Sequence, residues 1–167
     1  IKMYASIAKV SHEKTFQTDV IGKIEQTSFE TIENMSDIVW SINPKYDDFS
    51  FVIEKMHAFG NSICSASSIN FKLIYDSAIK QIHFDVEQRK NVFLIFKEAV
   101  NNAVKYSKAT MVSVNITKEG KYIILSIIDN GIGIKPEQLN MGNGIGNMRQ
   151  RAENMGGTLG INTKNGT

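Results

Sequence analysis

Pro44 divides this chain into two kinds of pattern. Proline cannot continue a helix, and it pushes the residue before it out of the helical region. Asn43-Pro44-Lys45-Tyr46-Asp47-Asp48 is therefore the clearest boundary in the sequence. Ahead of it the apolar spacing is helical. Ile21, Ile24, Ser28, Thr31, Met35, Ile38 and Ile42 recur at intervals of three and four, a heptad-like seam with small or polar interruptions. Ile32 and Val39 widen the stripe, which suits a helical bundle better than a two-stranded coil. Residues 1–10 also read as helix, with Met3, Ile7 and Val10 on one face, and a turn is expected within residues 11–19. Two antiparallel helices cannot bury such stripes alone. Pairing with a second copy into a four-helix bundle is expected, with packing inside one chain as the alternative.

Beyond Pro44 helical and alternating signals follow one another. Residues 49–62 read as helix, 71–75 and 81–84 as short strands, and 86–106 as a long helix. Strands at 111–117 and 122–128 are joined by Lys118-Glu119-Gly120-Lys121, with glycine where a tight hairpin wants positive φ. A helix at 145–155 stops at Gly156-Gly157, and a strand is expected at 158–163. The order implies an α+β sandwich, a mixed and largely antiparallel sheet with helices on one face. Two domains are expected: a helical hairpin at 1–43 and a sandwich at 44–167.

Composition mainly excludes. A net charge of +2 is too small to argue for nucleic acid or an anionic membrane surface as partner. The apolar runs are far too short to span a bilayer, and residues 1–10 lack the apolar block of a signal peptide. Cys64 stands alone, so neither a disulfide framework nor a thiolate metal cluster is available. A reducing, cytoplasmic compartment is expected. Both ends read as cuts through a longer protein.

Three segments carry chemistry. On the helix at 86–106, Phe93, Phe96, Val100 and Ala103 form the core side, and Glu98, Asn102 and Lys105 line up on the other. An amide oxygen suits a hard cation such as Mg²⁺, an ammonium holds phosphate, and a carboxylate can act as a base. Alone, such a row is usually a solvated face. Asp129-Asn130-Gly131-Ile132-Gly133 follows a strand on which Asp129 shares the face of Ile123, Leu125 and Ile127. A carboxylate there could pair with the amino group of a purine, while glycines let the chain lie close to a flat ring. The plainer reading is a tight turn closed by an Asx-type hydrogen bond. Gly142-Asn143-Gly144-Ile145-Gly146 runs into a helix, and its N–H groups form an anion site. It is neither a Walker loop nor a dinucleotide fingerprint.

Together the three are far more specific than any one. Glu98 to Tyr106 resembles the N box of the GHKL-type ATPases in the form found in histidine kinases. Asp129 to Gly133 resembles the G1 box, Gly142 to Met148 the G2 box, and Asn165-Gly166-Thr167 the start of a G3 box. Met35 to Pro44 is similar to the second dimerisation helix and linker of one branch of sensor histidine kinases. The resemblance implies ATP and Mg²⁺ as ligands. Asp129 would read the adenine amino group with Thr167 in support, Asn102 would hold Mg²⁺, and Lys105 would sit near the phosphates. Glu98 would polarise an incoming histidine. Tyr106 would line the ring or ribose side, or else pack in the core. Residues 135–144 would form a mobile lid, with Gly142, Gly144 and Gly146 supplying hinge and N–H groups, and Gly131 and Gly133 would shape the base pocket. The resemblance also implies a homodimer, a response-regulator receiver domain as partner, and a parent anchored in a bacterial inner membrane. The phosphoacceptor histidine would lie upstream of residue 1, because His12 falls near the inter-helix turn with no proline after Thr15. His57 and His83 read as packing or surface residues. The rivals are an anti-sigma-type serine kinase, which usually lacks a helical bundle, a non-enzymatic nucleotide switch, and a gyrase- or chaperone-like ATPase, which needs a much longer chain.

Overall fold

The computed structural model describes Lys2 and residues 14–42, 48–134 and 143–163. The helix expected at 1–10, the linker residues 43–47 and His12 lie outside the described residues. The chain divides into two compact units, Ile1–Ile42 and Asn43–Thr167.

In the first unit a single helix, α1, runs over Lys14–Ile42. The turn expected within 11–19 therefore does not reach past Lys14. Ser28 and Thr31 turn their hydroxyls back onto the carbonyls four residues earlier, at 2.7 Å each. Ser and Thr in mid-helix commonly do this, and it hides polarity within the helix surface. Ile21, Ile32, Met35 and Val39 are exposed on α1.

The second unit is built on two capped helices. Asp48 accepts from Ser50 N–H to start α2, Phe49–Ala66, four residues longer than the sequence suggested. Phe49, Val52, Ile53, Met56, Gly60 and Cys64 make its buried stripe. Gly60 is fixed by contact: a Cβ there would run into the Phe71 ring. Helix α3, Val86–Tyr106, opens with a full capping box, in which Asp85 and Gln88 satisfy each other's backbone N–H at 2.8 and 3.0 Å. Its buried face carries Phe93, Phe96, Val100 and Ala103, as expected.

Strands β1 (Asn70–Tyr75), β2 (Met111–Glu119) and β3 (Tyr122–Asp129) form a sheet in the order β1-β2-β3. β1 is parallel to β2, and β2 is antiparallel to β3. The parallel step needs a long crossover, which α3 supplies. Register places Phe71, Leu73 and Tyr75 beside Val112, Val114 and Ile116, and those beside Asp129, Ile127 and Leu125. This is the face the helices cover: Val112, Val114 and Ile116 are fully buried, and Phe71 meets Phe96 edge-on. The opposite face exposes Ile74, Met111, Tyr122, Ile124 and Ile128. The result is a two-layer α+β sandwich. Helix α4, Gly144–Asn154, lies against α3 through Ile95, Met148 and Ala152.

Three expectations need correction. The strand expected at 81–84 does not form: Gln81 ends a 3-10 turn, Ser77–Gln81, and the rest makes one isolated bridge, between His83 and Asp48. A single bridge next to a capped helix start leaves no room for a ladder. Residues 158–163 form no strand; Leu159 instead packs on the α3–α4 cluster, so side-chain burial rather than pairing holds the segment. The hairpin is tighter than expected, because β2 continues through Glu119 to pair with Tyr122, leaving Gly120 at φ +59 and Lys121 as the turn. A glycine first in a two-residue hairpin turn meets the positive φ that such turns demand.

Candidate nucleotide site

The middle and the C-terminal end of α3 organise the residues singled out from the sequence. Near its middle, Glu98 and Asn102 are half-buried, one turn apart, on the side away from the sheet. Asn102 Nδ2 donates to Glu98 Oε1 at 3.4 Å. With the amide nitrogen turned to the carboxylate, the amide oxygen is the atom left to ligate a cation. That fits an Mg²⁺ ion carried mainly by phosphate oxygens, which needs few protein ligands. Among the described residues, no cluster of three His, Cys, Asp or Glu side chains could hold a metal by itself.

The first turn of α4 comes down on this pair. A Cβ on Gly144 would overlap Glu98 Oε1 and lie 3.7 Å from Asn102 Nδ2. The start of the helix thus approaches the carboxylate closely, and a larger residue there would make the Glu98 side chain turn away. Asn143, the N-cap, has helical φ and ψ of −87° and −12° and makes no capping hydrogen bond with its side chain. The first turn holds no acidic residue either. The leading N–H groups of α4 are thus left without a side-chain acceptor among the described residues, and the helix dipole adds positive potential there. Nothing lies within 4 Å of a Cβ built on Gly146, so this turn is open on that side.

The far end of α3 meets the turn after β3. Asp129 Oδ1 accepts from Gly131 N–H at 2.9 Å, the Asx-type closure. Its carboxyl is exposed rather than buried at the end of the strand face, because β3 lies at the sheet edge. The turn and the recognition readings are therefore compatible: one oxygen shapes the loop and the other is left for a donor. A Cβ on Gly131 would overlap the Ser107 carbonyl, and Ile132 N–H donates to that same oxygen at 2.8 Å. Gly131 must be glycine for contact, and Gly133, at φ +73, for backbone conformation.

Lys105 and Tyr106 are both exposed, Tyr106 at 70%. The core reading of Tyr106 is thereby overturned: it sits on the solvent side of the last turn of α3, whose Ala103 faces the core. At 1.5 Å per residue, Glu98 and Ser107 stand about 13.5 Å apart along α3. The site is a strip along one helix, with a carboxylate turn at one end and an open helix start near the other. Gly142, Thr167 and residues 135–142 of the expected lid lie outside the described residues.

Sequence reasoning missed two residues. Asn130 Oδ1 accepts from Thr110 and Met111 N–H at 2.9 Å each, and its Nδ2 donates to Thr110 Oγ1 at 2.9 Å. It staples the Asp129 turn to the start of β2. Ser107 caps the exit of α3, donating to Ala103 O at 2.7 Å and accepting from Ala109 N–H at 3.1 Å. The Asx character of Asn130 was a signal; its partners twenty residues away were not. A separate cleft of about 390 Å³, lined by His83, Phe84, Asp85, Val86 and Arg89, lies at the opposite end of α3.

Residues 87–167 match the family of histidine kinase-, DNA gyrase B-, and HSP90-like ATPases. This segment is an ATPase domain of that family. The match begins one residue inside α3 and takes in both ends of the strip. The structure resembles that of the Acinetobacter baumannii histidine kinase AdeS, with TM-score 0.66 and 17% identity over 98% of this chain and 90% of that one. It also resembles the histidine kinase domain of the Erythrobacter litoralis EL346 blue-light activated histidine kinase, with TM-score 0.59 and 15% identity over 98% and 86%. The catalytic domain of histidine kinase ThkA aligns with TM-score 0.54 and 14% identity, over 65% of this chain and 79% of that one. At these identities the likeness establishes the fold, that of histidine kinase catalytic regions. The ATPase domain binds ATP in this family, and the strip along α3 is its candidate site.

Proposed function

We propose that the chain is the ATP-binding catalytic region of a two-component sensor histidine kinase. It would transfer the γ-phosphate of ATP to a histidine on a dimerisation helix, for relay to a response-regulator receiver domain. The observation that carries this reading is the meeting of Glu98 and Asn102 with the uncapped first turn of α4. A carboxylate, an amide and a row of N–H groups with no side-chain acceptor among the described residues are what phosphoryl transfer asks of a protein, since that chemistry rests on positioning and charge neutralisation.

In this reading Asp129 accepts from the adenine amino group with the oxygen not used by Gly131. Tyr106 and Ile132, both exposed beside that turn, give apolar surface for the ring. The N–H groups at Gly144 and Gly146 receive phosphate oxygens, and Lys105 adds a diffuse positive charge. Asn102 Oδ1 is the protein oxygen that would hold Mg²⁺, which when bound neutralises phosphate charge. Glu98 orients the incoming imidazole and takes up its proton. The exposed stripe of Ile21, Ile32, Met35 and Val39 on α1 supports a homodimer through the N-terminal helices. A cytoplasmic position beneath a membrane-anchored sensor is part of the same proposal.

The test is chemical. A chain extended upstream of Ile1 is incubated with γ-labelled ATP and Mg²⁺, and the label is challenged with acid and alkali. An acid-labile, alkali-stable phosphate that persists in His12→Ala supports histidine transfer to an upstream acceptor. An acid-stable, alkali-labile phosphate refutes it in favour of a serine kinase.

A further inference from the structure

Helix α4 has little to hold it where it is. It is eleven residues long, and isolated helices of that length are marginal in water. Only Met148 and Ala152 are buried on it. Apolar contacts of this kind resist separation but not sliding, because they have no direction. One polar contact joins the two helices instead. Arg151 Nη1 donates to Asn91 Oδ1 at 3.4 Å. Asn91 is 4% exposed, and its Nδ2 has no hydrogen-bond partner among the described residues. Sequence reasoning singled out neither residue.

The placement of this contact matters more than its strength. Asn91 meets Arg151, and Glu98 meets Gly144, so α3 and α4 run antiparallel. Seven residues separate Asn91 from Glu98 on α3, and seven separate Gly144 from Arg151 on α4. Each interval is about 10.5 Å of helix. The two contacts are therefore matched rungs on two rigid rods, and fixing one fixes the other. A slip of one turn, about 5.4 Å, would carry the open N–H groups off the Glu98–Asn102 pair.

We infer that Asn91 and Arg151 form a register clamp that sets the first turn of α4 over Glu98 and Asn102, making Arg151 a positioning residue for the phosphate end of the site. The clamp acts through α4 and touches no ligand. It rests on the proposed ATP site for its effect, but not for its existence. It has a specific consequence: loosening it impairs recognition of phosphates and spares recognition of adenine, because the Asp129 turn is anchored independently by Asn130 and Ser107.

The experiment compares ATP with adenosine on the 167-residue chain, by fluorescence or calorimetric titration. Arg151→Met is expected to weaken ATP about tenfold, equivalent to about 1.4 kcal/mol, with adenosine affinity close to that of the unmodified chain. The second variant, Asn91→Leu with Arg151→Met, replaces both partners by apolar groups, which can restore stability once no buried amide is left stranded. It is expected to recover thermal stability while remaining selectively weak for ATP. Equal losses for ATP and adenosine, unchanged ATP affinity, or recovery of ATP affinity in the double variant would each overturn the clamp. Amide hydrogen exchange without nucleotide separates this from the function itself. Arg151→Met should speed exchange in the first turn of α4 and leave α2 unchanged; unaltered exchange overturns the clamp. An unmodified chain that binds no ATP refutes the proposed function and leaves the exchange result to judge the clamp.

Discussion

The two ends of the strip along α3 are finished to different degrees. At the C-terminal end, the turn carrying Asp129 is already closed: Asn130 staples it to Thr110 and Met111, Asp129 bonds Gly131, and Ile132 bonds Ser107. At the other end, the N-cap Asn143 makes no side-chain capping bond, and the first N–H groups of α4 lack a side-chain acceptor among the described residues. The two glycines show the same contrast. A methyl on Gly131 would strike a backbone carbonyl, which cannot move without dragging α3. A methyl on Gly144 would strike the tip of the Glu98 side chain, which can rotate. In the proposed site the base end is preorganised, and a ligand there would meet a finished surface. The phosphate end is left for the ligand to complete.

Mutations can break this comparison, and the largest loss of binding is expected at the finished end. Asp129→Asn should weaken nucleotide binding about 100-fold, the upper range for a hydrogen bond to a charged group; titration with unchanged affinity would reject the pocket. Glu98→Gln should bind ATP almost normally while phosphotransfer slows by about 10²–10⁴, the usual contribution of a general base. Full transfer in single-turnover assays would remove Glu98 from the chemistry. Gly131→Ala should cost about 1–3 kcal/mol of stability in denaturant unfolding, the overpacking penalty, and Gly144→Ala clearly less. Equal costs would show that the two ends are equally rigid. Smallest of all, Gly146→Ala should raise stability by less than about 1 kcal/mol through helix propensity, since its Cβ meets open space. A large loss in thermal unfolding would mean that another segment packs on this turn.

What could be read from the sequence was what is written locally. Helix α3 was legible to both ends because Asp85 and Gln88 mark its start and a long apolar stripe marks its side. The hairpin was legible from Gly120, though not its tightness, since the pairing of Glu119 with Tyr122 depends on register. The apolar Ile82 and Phe84 imitate a strand, but among the described residues the segment pairs only through His83, in one bridge to Asp48. Leu159 imitates a strand in the same way while serving the α3–α4 cluster. At the site, the residue types of Glu98, Asn102 and Asp129 pointed to chemistry. The supporting residues did not. Ser107, Asn130, Asn91 and Arg151 matter through partners far along the chain, and no spacing rule reports those.

The missing cap on α4 reaches beyond binding. A ligand that binds only the folded form stabilises it by mass action, by about 2.7 kcal/mol at a concentration a hundred times its Kd. Proteolysis of a transiently opened segment follows the population of the open form. If phosphate completes this helix start, as proposed, the domain's resistance to proteolysis would depend on the nucleotide around it.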